Sequence, residues 1–189
     1  KWYAGETISI GIGQGYNAYT PIQLAQATAA VASGGVIYRP HLVKHIENIN
    51  TGERTPIEPQ PLRTLPLKPA NVEIIRQAMV GVNKEGTGAR AFAGAEYVSA
   101  GKTGTARVYS LKGAIYEHGK VSERLRDHAL FIAYAPAEQP TIALAVLVEN
   151  GGFGAQSAAP IARQVLDYWL LGKLPKEAAP EIEEAGEDD

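Results

Sequence analysis

The chain has 189 residues, 45% of them hydrophobic and 20% charged, proportions that fit a globular domain with a real core and set aside disordered and fibrous classes. A net charge of −2 leaves no basic footprint for nucleic acid, and the lack of cysteine removes disulfides and thiolate metal sites. The longest apolar run, Ile142 to Val148, is far short of a membrane span, and no signal peptide is present. The chain begins Lys1-Trp2-Tyr3 and its one methionine is Met79, so the expectation is a piece of a longer protein with an anchor or signal upstream.

Residues 6–19 are rich in glycine and polar side chains, and read as a loop with extended stretches. A helix follows. Thr20 is its expected N-cap, Pro21 fits the first helical position and Gln23 completes a capping box. Leu24, Ala27, Thr28 and Val31 form the expected buried face, and Gly34-Gly35 the stop. Residues 36–50 alternate like a strand, with a hairpin turn at Asn50-Thr51-Gly52. Five prolines from Pro56 to Pro69 predict an irregular, extended stretch. A second helix is predicted over 70–83, burying Val72, Ile75, Met79 and Val82, and closed by Gly86-Thr87-Gly88.

Three strands are predicted next, at 97–109, 129–135 and 141–149, the last two forming a hairpin around Pro136 to Pro140. Ile142, Leu144, Val146 and Val148 fill one face of the last strand, and Ala143, Ala145 and Leu147 the other. Both faces should therefore be covered, the alanine face by a helix. Ala158 to Leu171 is the candidate for that helix, with Leu166, Tyr168, Trp169 and Leu170 as core residues. The fold class is therefore α+β (or α/β): an antiparallel sheet of three main strands flanked by helices. Residues 1–172 form the domain, and 173–189 an acidic tail expected to be disordered.

Ala100-Gly101-Lys102-Thr103-Gly104-Thr105 is the sharpest local signal. A phosphate-binding loop would need a glycine where Glu96 stands and a helix after the lysine, whereas Ala106-Arg107-Val108-Tyr109 favours a strand. A substrate-binding strand is coherent instead. Gly101 and Gly104 let a ligand backbone approach, so that a peptide can add to the strand edge through main-chain hydrogen bonds. Lys102 offers a positive charge, and Thr103 and Thr105 offer hydroxyl donors to a carboxylate. Period two puts Lys102 on one face and both threonines on the other.

Around this strand the chain resembles the penicillin-binding proteins. Gly11-Ile12-Gly13-Gln14-Gly15-Tyr16-Asn17 with Thr20 to Ala25 is similar to the segment after that family's second motif, and Glu85 to Ala91 to the stretch before its Lys-Thr-Gly strand. Asp127 to Pro136 and Val148-Glu149-Asn150-Gly151-Gly152 are similar to its closing hairpin. Trp2-Tyr3, Gly5 to Ser9 and Glu123 to His128 most resemble the penicillin-binding protein 2 group of cell elongation, with the septal group as the nearer rival. The resemblance implies the C-terminal half of a penicillin-binding/β-lactamase-like transpeptidase fold. In its five-stranded sheet, two strands from the missing half pair beyond 141–149.

The family's Ser-x-x-Lys nucleophile and Ser-x-Asn motifs lie earlier in its chain. Ser-x-Asn is absent here, and Ser99-Ala100-Gly101-Lys102 is an accidental overlap, because one lysine cannot serve two motifs. This chain alone is thus expected to be inactive. In the parent enzyme the resemblance implies D,D-transpeptidation of peptidoglycan stem peptides, with β-lactams as inhibitors. Lys102, Thr103, Gly104 and Thr105 would bind substrate, and the Thr105 backbone N–H would be an oxyanion donor. No metal or organic cofactor is implied. Implied partners are the missing N-terminal half and a membrane glycosyltransferase, on the periplasmic side of the inner membrane. A β-lactam sensor or a non-catalytic scaffold of the same fold is the alternative, and a nucleotide-binding enzyme the third. For the last, Gly13 to Ala18 fits a dinucleotide fingerprint, but no apolar strand precedes it and Ser33 stands where an acid is expected. His41 and His45 read as exposed histidines rather than metal ligands, and Asp127-His128 as a structural pair closing a turn.

Overall fold

The computed structural model describes residues 1–108 and 122–175. The acidic tail expected at 173–189 falls almost wholly outside the described residues, and so does Tyr109, the end of the first expected strand.

The first element corrects the sequence reading. Ala4–Gly11 is a helix, α1, and not a loop. Its composition hides it: Gly5 and Gly11 flank β-branched Thr7, Ile8 and Ile10, all poor helix formers. Side-chain hydrogen bonds supply what propensity does not. Glu6 accepts from the Tyr3 backbone N–H at 2.9 Å and from the Tyr16 hydroxyl at 2.9 Å, and the Trp2 indole donates to Thr7 at 2.9 Å.

The second helix, α2 (Pro21–Ala32), starts as expected. Thr20 Oγ1 accepts from the Gln23 N–H and Gln23 Oε1 accepts from the Thr20 N–H. Its buried residues are Thr28, Ala30 and Ala32, whereas Ala27 is exposed. The expected strand over 36–50 divides into β1 (Val36–Tyr38) and β2 (His45–Glu47), because Pro40 interrupts it. The proline-rich stretch contributes β3 (Arg54–Pro56) and β4 (Pro61–Thr64). These pair antiparallel as β1–β4 and β2–β3, the latter across the expected turn at Gly52, which has φ +69°.

Helix α3 (Pro69–Lys84) turns Val72, Arg76, Met79 and Asn83 inward, while Ile75 is 51% exposed. The inner stripe differs from the expected one because two of its members are polar. Their partners explain the burial: Arg76 Nη2 donates to the Ala137 carbonyl at 2.9 Å, and Asn83 Nδ2 to Ser99 Oγ at 2.9 Å. A short helix, α4 (Ala89–Phe92), stacks Phe92 on Phe131 with centroids 5.7 Å apart.

The central sheet has three antiparallel strands in the order β5 (Ala100–Ala106), β6 (His128–Ala135), β7 (Ile142–Val148). Thr103 pairs with Phe131, and Phe131 with Val146. The last helix, α5 (Gly154–Leu171), begins earlier than Ala158 and lies on the other face from the one expected. Ala158, Ala159, Ala162 and Leu166 pack on Ala129, Phe131 and Ala133 and on the branched side chains Ile142 to Val148. The alanine face of β7 receives α2 instead: Ala32, Met79, Ala100 and Tyr134 form a second cluster with Ile132 and Ala143. Close approach of α5 needs small residues at the contact, and α5 and β6 supply them, so β7 can keep its bulk on that side. Tyr168 and Trp169, expected in the core, are 56% and 58% exposed, and of the aromatic-rich run only Leu166 is fully buried.

Candidate active site

Among the described residues β5 is an edge strand, and its outer edge carries the Lys-Thr-Gly residues. Lys102 is exposed, and its ammonium folds back along the strand to donate to the Thr103 carbonyl at 2.8 Å, lying 3.5 Å from Thr103 Oγ1. The Thr103 hydroxyl also meets the Thr87 hydroxyl at 3.1 Å, from the turn between α3 and α4. Two residues on, the Thr105 carbonyl accepts from Gln14 Nε2 at 2.8 Å. In an antiparallel ladder the N–H and C=O of one residue point to the same side. A Thr105 carbonyl turned away from β6 therefore carries its own N–H to the free edge with it. The strand thus gathers a cation at Lys102 with hydroxyls and outward main-chain groups at Thr103 and Thr105.

The glycines of this strand act differently from the expectation. Gly101 is buried, and a Cβ there would lie 2.7 Å from Phe131 Cζ and 2.9 Å from Asn83 Oδ1. Packing of the core fills the space that a ligand was expected to use. Gly104 faces Leu130, where a Cβ would stand 3.2 Å from the Leu130 Cβ. A backbone does approach Gly104 closely, but it is that of Gly154 at the start of α5, whose Cβ would lie 2.6 Å from the Gly104 carbonyl oxygen.

Two contributors were missed from sequence, Thr87 and Gln14. Both sat inside motif-like stretches, but they reach β5 across 16 and 91 residues, so local spacing carried no sign of the contact. The rejected readings fare as their local structure dictates. A strand rather than a helix follows Lys102, which removes the phosphate-loop geometry. A helix, α1, precedes Gly13, so the dinucleotide fingerprint lacks its strand. Ser99 is 4% exposed and accepts from Asn83, the setting of a structural serine. His41 and His45 are exposed, and His41 Nδ1 lies 2.8 Å from the Val43 carbonyl. Asp127 and His128 close a turn: the Asp127 carbonyl accepts from Gly152 N–H, and His128 Nδ1 accepts from Asn150 N–H at 2.9 Å.

An edge strand bearing Lys-Thr-Gly, backed by a C-terminal helix and fronted by helices α2 and α3, defines a class. The penicillin-binding protein transpeptidase domain matches residues 1–167, and the chain belongs to that family. Within it, the chain is 42% identical over 179 residues to the peptidoglycan D,D-transpeptidase MrdA of Haemophilus influenzae, covering 93% of this chain and 27% of that protein. The crystal structure of Pseudomonas aeruginosa PBP2 in complex with WCK 5153 is 45% identical, with a TM-score of 0.72 over 94% of this chain and 36% of that one. Helicobacter pylori PBP2, solved in complex with MreC, is 27% identical, with a TM-score of 0.67 over 91% of this chain and 29% of its own. The chain thus spans about a quarter of the curated relative, 27% of its length.

Proposed function

We propose that the chain is the substrate-strand half of a peptidoglycan D,D-transpeptidase of the elongation group, whose serine nucleophile comes from sequence outside these residues. The observation that carries the reading is the outer edge of β5, where the Lys102 ammonium stands with the hydroxyls and outward main-chain groups of Thr103 and Thr105. The 42% identity to a peptidoglycan D,D-transpeptidase supports the reaction class. The serine attacks the penultimate D-alanine carbonyl of a stem peptide laid along this edge, D-alanine leaves, and an amine of a second peptide takes the acyl group. The Thr105 N–H stabilises the oxyanion as the carbonyl becomes tetrahedral, a contribution of about a hundredfold or more in rate for one donor. Thr103 and Thr105 hold the terminal carboxylate, and Lys102 favours the anionic ligand and orients the serine of the second motif, while Gly104 lets the strand pack on Leu130 and Gly154. β-Lactams acylate the same serine. Placement on the periplasmic side of the inner membrane, an N-terminal anchor and a glycosyltransferase partner belong to the same proposal. The complex of Helicobacter pylori PBP2 with MreC supports a place in an elongation assembly.

The test is intact-mass analysis with a labelled penicillin. The full-length protein carrying this chain takes up one equivalent, and the 189-residue chain takes up none, because it contains no Ser-x-Asn motif and its only Ser-x-x-Lys overlaps the Lys-Thr-Gly strand. A stoichiometric adduct on the chain alone would overturn the division of labour described, and no adduct on the full-length protein would remove the reaction class.

A further inference from the structure

We infer that Gln14 is a specificity-determining residue, because its side-chain amide occupies the acceptor on β5 that an incoming ligand's amide N–H must use. The inference rests on the transpeptidase reading and deepens it. A ligand that adds to a strand edge forms main-chain bonds in both senses, its C=O to a strand N–H and its N–H to a strand C=O. At the reacting end of the site those two groups belong to Thr105. The N–H is the oxyanion donor, and the C=O is held by Gln14 Nε2 at 2.8 Å. A ligand with an N–H at this position therefore exchanges one neutral hydrogen bond for another and displaces Gln14. A ligand with no N–H there leaves Gln14 in place.

The loop is built so that only the side chain has to move. The Gln14 backbone is held on both sides: its N–H donates to the Ser9 carbonyl at 3.0 Å, and its carbonyl accepts from Asn17 N–H and from Asn17 Nδ2, the latter at 3.1 Å. Gly13 and Gly15, at φ +81° and +68°, set the turn that projects the side chain toward β5. Rotation about the side-chain torsions then frees the Thr105 carbonyl without disturbing the loop. A cavity of about 400 Å³ lies beside Thr105 between this loop and β5, lined by Asn17, Tyr19, Leu24, Gly104, Thr105 and Leu130. The neighbouring Thr103 carbonyl is capped in the same way by Lys102, so both outward acceptors are covered by the protein's own donors.

The experiment measures second-order acylation rates of the full-length protein carrying this chain, as wild type, Gln14→Ala and Gln14→Glu. It uses a penicillin, which has an acylamino N–H, and a carbapenem, which has a hydroxyethyl group instead. Neither variant donates to the Thr105 carbonyl, so both are expected to react about fivefold faster with the penicillin, the change that matches a net neutral hydrogen bond. The carbapenem rate should stay within about twofold. The ratio of the two rates is its own control, since a loosened site slows both compounds. An unchanged ratio, or one shifted toward the carbapenem, would overturn the role of Gln14 and leave the transpeptidase reading standing. Wild type that reacts with neither compound would overturn that reading and the inference with it.

Discussion

Lys102 and Thr105 stand three residues apart on β5; in the proposed reading they serve one ligand through different atoms, and their variants should differ accordingly. Lys102→Ala removes the exposed charge that lies 2.8 Å from the Thr103 carbonyl, so the full-length enzyme should acylate about tenfold or more slowly and lose preference for anionic ligands. Thr105→Val keeps the backbone N–H and loses only a hydroxyl, so its rate should fall by less. Acylation kinetics on the two variants decides this, and a Lys102→Ala rate equal to wild type would remove the role given to Lys102. Gly101 tests a different matter. The motif suggests that it serves the ligand, yet its missing Cβ makes room for Phe131 and Asn83. Gly101→Ala should therefore destabilise the fold by about 1–3 kcal/mol, as overpacking of a filled core does. Denaturant unfolding of the domain measures it, and an unchanged midpoint with slowed acylation would return the glycine to the ligand.

At the scale of elements, the segment entering β5 is tied to α5 by a half-buried network. The Tyr97 hydroxyl donates to Asp167 Oδ1 at 2.8 Å, and Arg163 Nε reaches both Asp167 oxygens at 2.8 and 2.9 Å while its Nη1 donates to the Ala93 carbonyl. Asp167→Ala leaves a phenol and a guanidinium without their acceptor, and should cost about 2 kcal/mol in thermal or denaturant unfolding. The same network gives a pH dependence. Burial, then the bond to Asp167 and its negative charge, push the Tyr97 hydroxyl well above the usual tyrosine range. Because the folded-state value is raised, its contribution is complete below about pH 10, the unfolded value, and is lost as pH rises toward the folded one. Tyr97→Phe should flatten the loss of stability measured above about pH 10, leaving the smaller share of buried Tyr134, whose value burial also raises.

At the scale of the molecule, the sheet ends on β7. Helices α2 and α5 cover its two faces, but among the described residues no strand pairs with its outer edge. The edge holds no charge from Ile142 to Val148, and Leu147 is 41% exposed beside it. Unpaired N–H and C=O groups on such a strand are a template for another chain. The 189-residue chain should therefore self-associate with rising concentration in light scattering, and Leu147→Lys should weaken that association. Monomers at high concentration, with freely exchanging amides along 142–148, would show that the edge is protected by other means.

The sequence alone determined what depends on neighbours in the chain. The Thr20 to Gln23 capping box placed α2, the 3.6 period placed α3, and period two with intervening prolines placed β6 and β7. Lys-Thr-Gly stood out because three residue types with one compatible chemistry fell on a single strand. The tertiary structure decided what depends on contacts between distant residues. It chose the face of β7 that takes α5, since small residues on α5 and β6 determine how near a helix can come, and those lie on other elements. It turned polar Arg76 and Asn83 inward, because their partners at Ala137 and Ser99 are unknown to a periodicity argument. It made a helix of Ala4–Gly11 against its propensity through hydrogen bonds donated to Glu6 and Thr7 by Tyr3 and Trp2. It also brought Thr87 and Gln14 to the edge of β5, a contact that exists only once the chain has closed loops of 16 and 91 residues.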